Sequence, residues 1–168
     1  MTPGASGGGH GSRRRGRGYA LQVLYARDVE RGTDVGAALS GWVESFELDV
    51  DDAARGFAGE LVDATVADQA GIDEVIAASS RNWRLERMSR VDRNILRIAV
   101  SELRNFPQTP VKVVINEAVE LAKRFGTAES PAFVNGVLDR IASAIGRPAS
   151  DMSPEPPPTS DGGGGGDA

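Results

Sequence analysis

The sequence predicts an all-α protein of about seven helices in two small packed bundles, with disordered termini. Apolar residues recur at spacings of three and four through nearly all of residues 19–148, the repeat of a helix with one buried face. The most β-branched stretch, Val111 to Ile115, would suit a strand, but it carries the helical spacing on through Ala118, Val119, Ala122 and Phe125. Prolines stand between the apolar stretches or in a first turn, where a helix tolerates them.

The first helix is expected from about Arg17 to Arg31, with Ala20, Leu21, Leu24 and Tyr25 on one face and Gly32 as its stop. The second starts at the N-cap Asp34 and carries Val35, Leu39, Trp42, Val43 and Phe46 as a stripe. The third covers about Asp51 to Gln69, with Ala54, Phe57, Ala58, Leu61 and Thr65 inward. A fourth follows Gly71, turns Ile72, Val75 and Ile76 inward and ends before Asn82. Trp42 and Trp83 are read as core. Ser89 and Asp92 then have the spacing of a capping box, with Asp in place of the usual Glu. The helix they open holds Val91, Ile95, Leu96, Ile98, Ala99, Val100 and Leu103, apolar almost all round, and should be the central one. Pro107 and Pro110 break it from the Val111–Phe125 helix, which Gly126 ends. The last helix has Ser130 as N-cap and Pro131 in its first turn. Its inner face is Phe133, Val134, Val137, Leu138, Ile141 and Ile145, and Gly146 and Pro148 close it.

Composition divides the chain into three. Residues 1–18 are Gly, Ser and Arg, and residues 149–168 are Pro, Gly, Ser and Asp. Neither segment holds enough apolar surface to offset the entropy of ordering, so both are expected to be disordered. Between them lies a foldable body over 19–148, with halves at about 19–82 and 83–148. The net charge of −5 is unevenly spread. The N-terminal arm carries Arg13, Arg14, Arg15 and Arg17 and no acid, and the C-terminal tail carries four acids and no base. A basic arm on a mildly acidic body suggests a localised polyanion contact.

Several function classes are left without residues. There is no cysteine, hence no disulfide, thiolate metal site or cysteine nucleophile. The single histidine, His10, lies in the Gly-rich arm with nothing to orient it. Glu117 and Glu120 sit one helical turn apart, but no histidine follows three residues later as a helical di-iron site needs. The expected reading is a surface Glu120–Arg124 ion pair. No phosphate-loop pattern joins a strand to a helix. The expectation is a protein with no catalytic residues, cofactor or metal. No apolar run approaches the roughly 20 residues of a membrane span, and no signal-peptide pattern follows the arginines. The chain is expected in the cytoplasm.

Three segments carry more. They are RRGRGYALQVLY from Arg14, VDRNILRIA from Val91 with Glu102 and Leu103 beyond it, and VVINEAVELAKRFGTAESPAFVNGVLDRI from Val113 to Ile141. Together they resemble the NusB family of bacterial transcription antitermination factors over about residues 13–147. The resemblance implies an all-helical fold of two packed bundles. It also implies binding to the boxA element of nascent ribosomal RNA as a heterodimer with NusE, a small-subunit ribosomal protein. Such a complex joins RNA polymerase with other Nus factors and suppresses premature termination. Family RNA contacts map onto Arg13, Arg14, Arg15, Arg17, Gln22, Lys123 and Phe133; the NusE-facing surface maps onto Tyr25, Asp92 and Arg93.

Gly16 and Gly18 stand where the family usually has better helix formers, at a cost of roughly 1 kcal/mol each relative to Ala. Local readings compete with the functional ones. Phe133 and Tyr25 lie on apolar stripes and suit core packing, Asn116 and Glu117 suit capping or surface positions, and Lys123 suits a solvated helix charge. Two other classes share these features: an RNA-targeting helper for an RNA-modifying enzyme, and a protein-only helical interaction module. Salt-dependent RNA binding separates the latter from an RNA-binding factor.

Overall fold

The computed structural model describes residues 9–29, 51–81 and 83–147. Among them are six α-helices, one short 3₁₀ turn and no strand. The expected helix over 34–46, with Trp42, and the acidic tail over 149–168 lie outside the described residues.

Helix α1 runs from His10 to Val29. It begins seven residues before the Arg17 start expected from sequence, so the second half of the segment read as a disordered arm, from His10 on, is helical. Local propensity does not explain this, because Gly11, Gly16 and Gly18 all disfavour helix. Tertiary contacts do. A Cβ at Gly16 would lie 2.9 Å from both the Ala54 carbonyl oxygen and the Phe57 ring, so a glycine is what lets α1 approach the next helix closely.

That next helix, α2, spans Asp52–Ala67. Asp51 caps it, its carboxylate accepting from the Ala54 N–H at 2.7 Å. Ala54, Phe57, Ala58, Leu61 and Thr65 are buried as the periodicity predicts, and the Thr65 hydroxyl donates to the Leu61 carbonyl. Helix α3 spans Gln69–Ser79 and starts before Gly71 instead of after it, separated from α2 only by the non-helical Asp68.

The 3₁₀ turn Leu85–Arg87 leads into α4, Arg90–Asn105. Ser89 caps α4 by accepting from the Asp92 N–H. The reciprocal half of the capping box is missing, since Asp92 Oδ1 is buried without a partner. Helix α5 is Val111–Phe125 and α6 is Ser130–Ala144. Ser130 is the first helical residue and not the cap: its hydroxyl accepts from the Thr127 N–H and tightens the preceding turn. Gly146 has φ +77°, and the Arg147 N–H reaches back to the Ala142 carbonyl at 2.7 Å, closing α6 as a glycine-ended helix does.

Helix α4 packs against all five of the others. Ten of its sixteen residues are buried, from Asn94 to Leu103, so it is the axis on which α1–α3 and α5–α6 are assembled. Its fully buried Ile95, Leu96, Val100 and Leu103 meet Leu61, Ile72 and Ile76 from one half and Val111, Leu138 and Ile141 from the other in one core. Each such side chain contributes roughly 1.5–3 kcal/mol by burial.

Candidate nucleic-acid interface

The four arginines at the start of α1, Arg13, Arg14, Arg15 and Arg17, all have partners within the protein. Arg17 is 2 % exposed and makes a two-pronged pair with the buried Glu102 of α4, at 2.9 and 2.6 Å. Four residues earlier, Arg13 lies on the Phe57 ring, as Arg17 also does, and donates to Thr109. Arg14 grips Glu117 of α5 at 3.0 Å, and that hydrogen bond and charge raise its guanidinium above its ordinary pKa. Arg15 pairs with Asp51 at 2.7 Å. The Asp51 carboxyl is held below its usual range, first by the Ala54 N–H and then by Arg15 and Ser12. Arg14 and Arg15 still show 64 % and 45 % of their side chains to solvent. Their heads face water, whereas Arg17 is a core residue.

This corrects four expectations. Arg17 is committed to Glu102 and presents nothing to a ligand. Gln22 is also buried, with Oε1 unpartnered; α1 turns this residue inward because it falls three after Tyr19, on the packed side. Glu117 is buried under Arg14 and is not a surface group, while Glu120 pairs with Lys123 and not with Arg124, which lies on Phe125.

At the other end of α1 the charges form a network. Asp28 accepts from Arg93, Asn94 and Arg97 of α4, and Arg97 also holds Asp73 of α3 with two hydrogen bonds of 2.7 and 2.9 Å. Tyr25, one turn before Asp28, is half-buried. Arg93 and Asp28 line a shallow cleft that also includes Val29, Leu85 and Glu86. Val29 is 47 % exposed, one of two large apolar side chains left in solvent among the described residues.

The second is Trp83, at 51 %. Sequence reading placed it in the core; it stands instead on the connection between α3 and α4, where none of the described helices covers it. A cleft of about 710 Å³ lies between Trp83 and the half-buried Phe133, with Arg81, Arg87 and Arg140 around it. Asp92, Glu129 and Ser130 complete its polar lining. Phe133 therefore packs on the core and faces this cleft as well. Asp92 and Arg93, adjacent in sequence, open into different clefts. Lys123 is exposed, held by Glu120, and is not part of the Trp83–Phe133 cleft. The signal that sequence reasoning passed over was charge inside an apolar helix: Arg97 and Glu102 occupy buried positions of α4, and a buried charge requires an opposite partner.

Comparison with known proteins gives this geometry a family. The pattern of the NusB family matches residues 14–143. The transcription antitermination protein NusB of Myxococcus xanthus is 50 % identical over 141 residues, covering 82 % of this chain and 99 % of the relative. That of Sorangium cellulosum is 51 % identical over 139 residues, covering 82 % and 96 %. Among solved structures, NusB of T. maritima superposes with a TM-score of 0.69 at 37 % identity, over 78 % of this chain and 90 % of that one. A chain from a crystal structure of the antitermination factors NusB and NusE with double-stranded RNA gives 0.67 at 32 %, over 80 % and 98 %. The chain belongs to the NusB family.

Proposed function

We propose that this chain is a non-enzymatic cytoplasmic transcription antitermination factor that binds the boxA element of nascent ribosomal RNA together with NusE. The complex then joins RNA polymerase and other Nus factors. One observation carries the reading: the chain shares its fold with 98 % of a protein from a structure of NusB and NusE with RNA, at 32 % identity.

The phosphate contacts fall to Arg13, Arg14 and Arg15, whose guanidinium groups project from one rigid helix, and to the exposed Lys123. Phe133 supplies an aromatic face at the Trp83 cleft. Arg17 and Gln22 act indirectly, as buried residues that seat α1 on α4 and on the core. NusE takes the surface built by Tyr25, Asp92 and Arg93, of which Arg93 is held by Asp28.

Titration of the full chain with boxA-containing RNA and with a scrambled RNA, each with and without NusE, tests this. A preference for boxA that NusE strengthens is expected; equal affinity for both RNAs under both conditions would overturn it.

A further inference from the structure

The described residues end beside the arm. Arg147 donates to the backbone carbonyls of Leu103, Pro107 and Thr109 at 2.6, 3.3 and 3.0 Å. It thereby pins the last described residue to the end of α4 and to the loop before α5. The hydroxyl of the same Thr109 accepts from Arg13 at 3.4 Å. Arg14 reaches α5 further along, at Glu117, and stays largely in solvent. Lys112, in the first turn of α5, is exposed and has no ion-pair partner among the described residues. Arg13 and Arg14, with Lys112 beside them, are thus a basic face next to the anchor of the C-terminus.

The sequence beyond that anchor matches the face in charge. Residues 148–168 hold Asp151, Glu155, Asp161 and Asp167 and no base. They lie outside the family pattern, which ends at residue 143. Asp151 and Glu155 follow Arg147 closely enough that they can range no further than about 14 and 29 Å from it. Acids tethered so near meet the face at an effective concentration in the millimolar range.

We propose that residues 148–168 lie across Arg13, Arg14 and Lys112 and compete with RNA for them, an autoinhibitory contact within the chain. This rests on the RNA-binding function proposed above and adds a regulation of the arm to it. Exposed ion pairs are individually weak and screened by salt, so a polyanion displaces the tail. A basic partner protein would also suit these acids, but it is not tethered beside them, and the arm is.

The chain has no cysteine, so Ser160→Cys takes a single nitroxide label in the tail. At low salt the label should broaden the amide signals of Arg13, Arg14 and Lys112, to an extent independent of protein concentration. The broadening should fall in about 1 M salt, where the screening length is about 3 Å. It should fall equally when the four tail acids are changed to Asn or Gln. That neutral tail should tighten binding of a boxA-containing single-stranded RNA about 2- to 10-fold at low salt, the gain when a contact formed from half to nine-tenths of the time is released. The slope of log K against log salt should steepen with it, because phosphates then displace counterions in place of carboxylates. Gln at Arg13, Arg14 and Lys112 together should abolish the difference between the two tails.

Equal broadening from the native and the neutral tail overturns the inference, since tethering alone would account for it. So does broadening that vanishes on dilution, which would give the acids to a second copy of the chain. A gain in RNA affinity with no broadening overturns it too, and leaves only long-range repulsion between tail and RNA. If the chain binds neither boxA nor scrambled RNA, the proposed function and the competition fall together, and the label alone still decides whether the tail meets the arm.

Discussion

The arginine arm and the Trp83 cleft hold similar charge in opposite states. In the arm every guanidinium is engaged: Arg13 by Phe57 and Thr109, Arg14 by Glu117, Arg15 by Asp51, Arg17 by Glu102. In the cleft Arg81 and Arg87 have no ion-pair partner among the described residues, beside an aromatic side chain left in solvent. The arm's charges therefore serve folding first and ligand second, in a gradient that runs from the buried Arg17 to the solvent-facing Arg14. The cleft's charges contribute little to the fold. A count of basic residues along the chain cannot make this distinction; only the position of the acids that face them can.

The comparison breaks most visibly at Arg17. Arg17→Met leaves Glu102 charged and unpaired in the core and should cost about 3–5 kcal/mol, read as a lower denaturation midpoint. Adding Glu102→Leu should recover much of that loss, since a buried pair replaced by apolar groups is often neutral. A single variant as stable as the parent would return Arg17 to the ligand-binding set. Close behind it, Gly16→Leu pushes side-chain atoms into the Ala54 carbonyl and the Phe57 ring and should cost about 1–3 kcal/mol by overpacking.

The arm's share of RNA binding should be smaller than its charge suggests. Replacing Arg13, Arg14 and Arg15 by Gln removes three cations, at about 0.7 in salt slope for each phosphate neutralised on a single strand. Arg14 and Arg15 already neutralise Glu117 and Asp51, so the slope should flatten by between about 0.7 and 2. A value at the upper end means that RNA displaces both carboxylates. Phe133→Leu should cost under about 1.5 kcal/mol in stability and narrow the gap between boxA and scrambled RNA at constant salt slope. An unchanged gap with a large fall in melting temperature would assign Phe133 to the core alone.

The smallest effect concerns acid. Asp51 has its folded pKa lowered by the Ala54 N–H, Arg15 and Ser12, so its contribution is present above the ordinary carboxylate range and disappears as pH falls through the lowered value. Acidification should therefore speed amide exchange at the start of α1 and α2 before it affects α4. Asp51→Asn should remove that pH dependence.

The helices of the second half were legible because they are amphipathic or wholly apolar: Ser89 as a cap, the Val111–Phe125 stretch as helix and the inner face of α6 all follow from spacing. The start of α1 was not. Its Gly- and Arg-rich residues have no local reason to be helical, and the acids that hold them lie at Asp51, Glu102 and Glu117, far along the chain. Trp83 was misplaced for a related reason. A large aromatic residue near a helix boundary is usually buried, and only the packing of α3 against α4 and α6 shows that none of the described residues covers this one. The core packing of Phe133 was legible from its apolar stripe; that the residue also lines the cleft was not.

The anchoring of Arg17 has a thermodynamic consequence for recognition. A floppy basic tail must surrender backbone freedom when it meets its target, roughly 1–2 kcal/mol for every residue that becomes fixed. Here the residues from His10 onward are already wound into α1 and riveted to α4 by a buried pair. If the arm contacts RNA as proposed, it does so pre-organised, and association carries little ordering entropy on the protein side. Calorimetry on such a surface should show a small heat-capacity change from the protein, in place of the large one that accompanies coupled folding and binding.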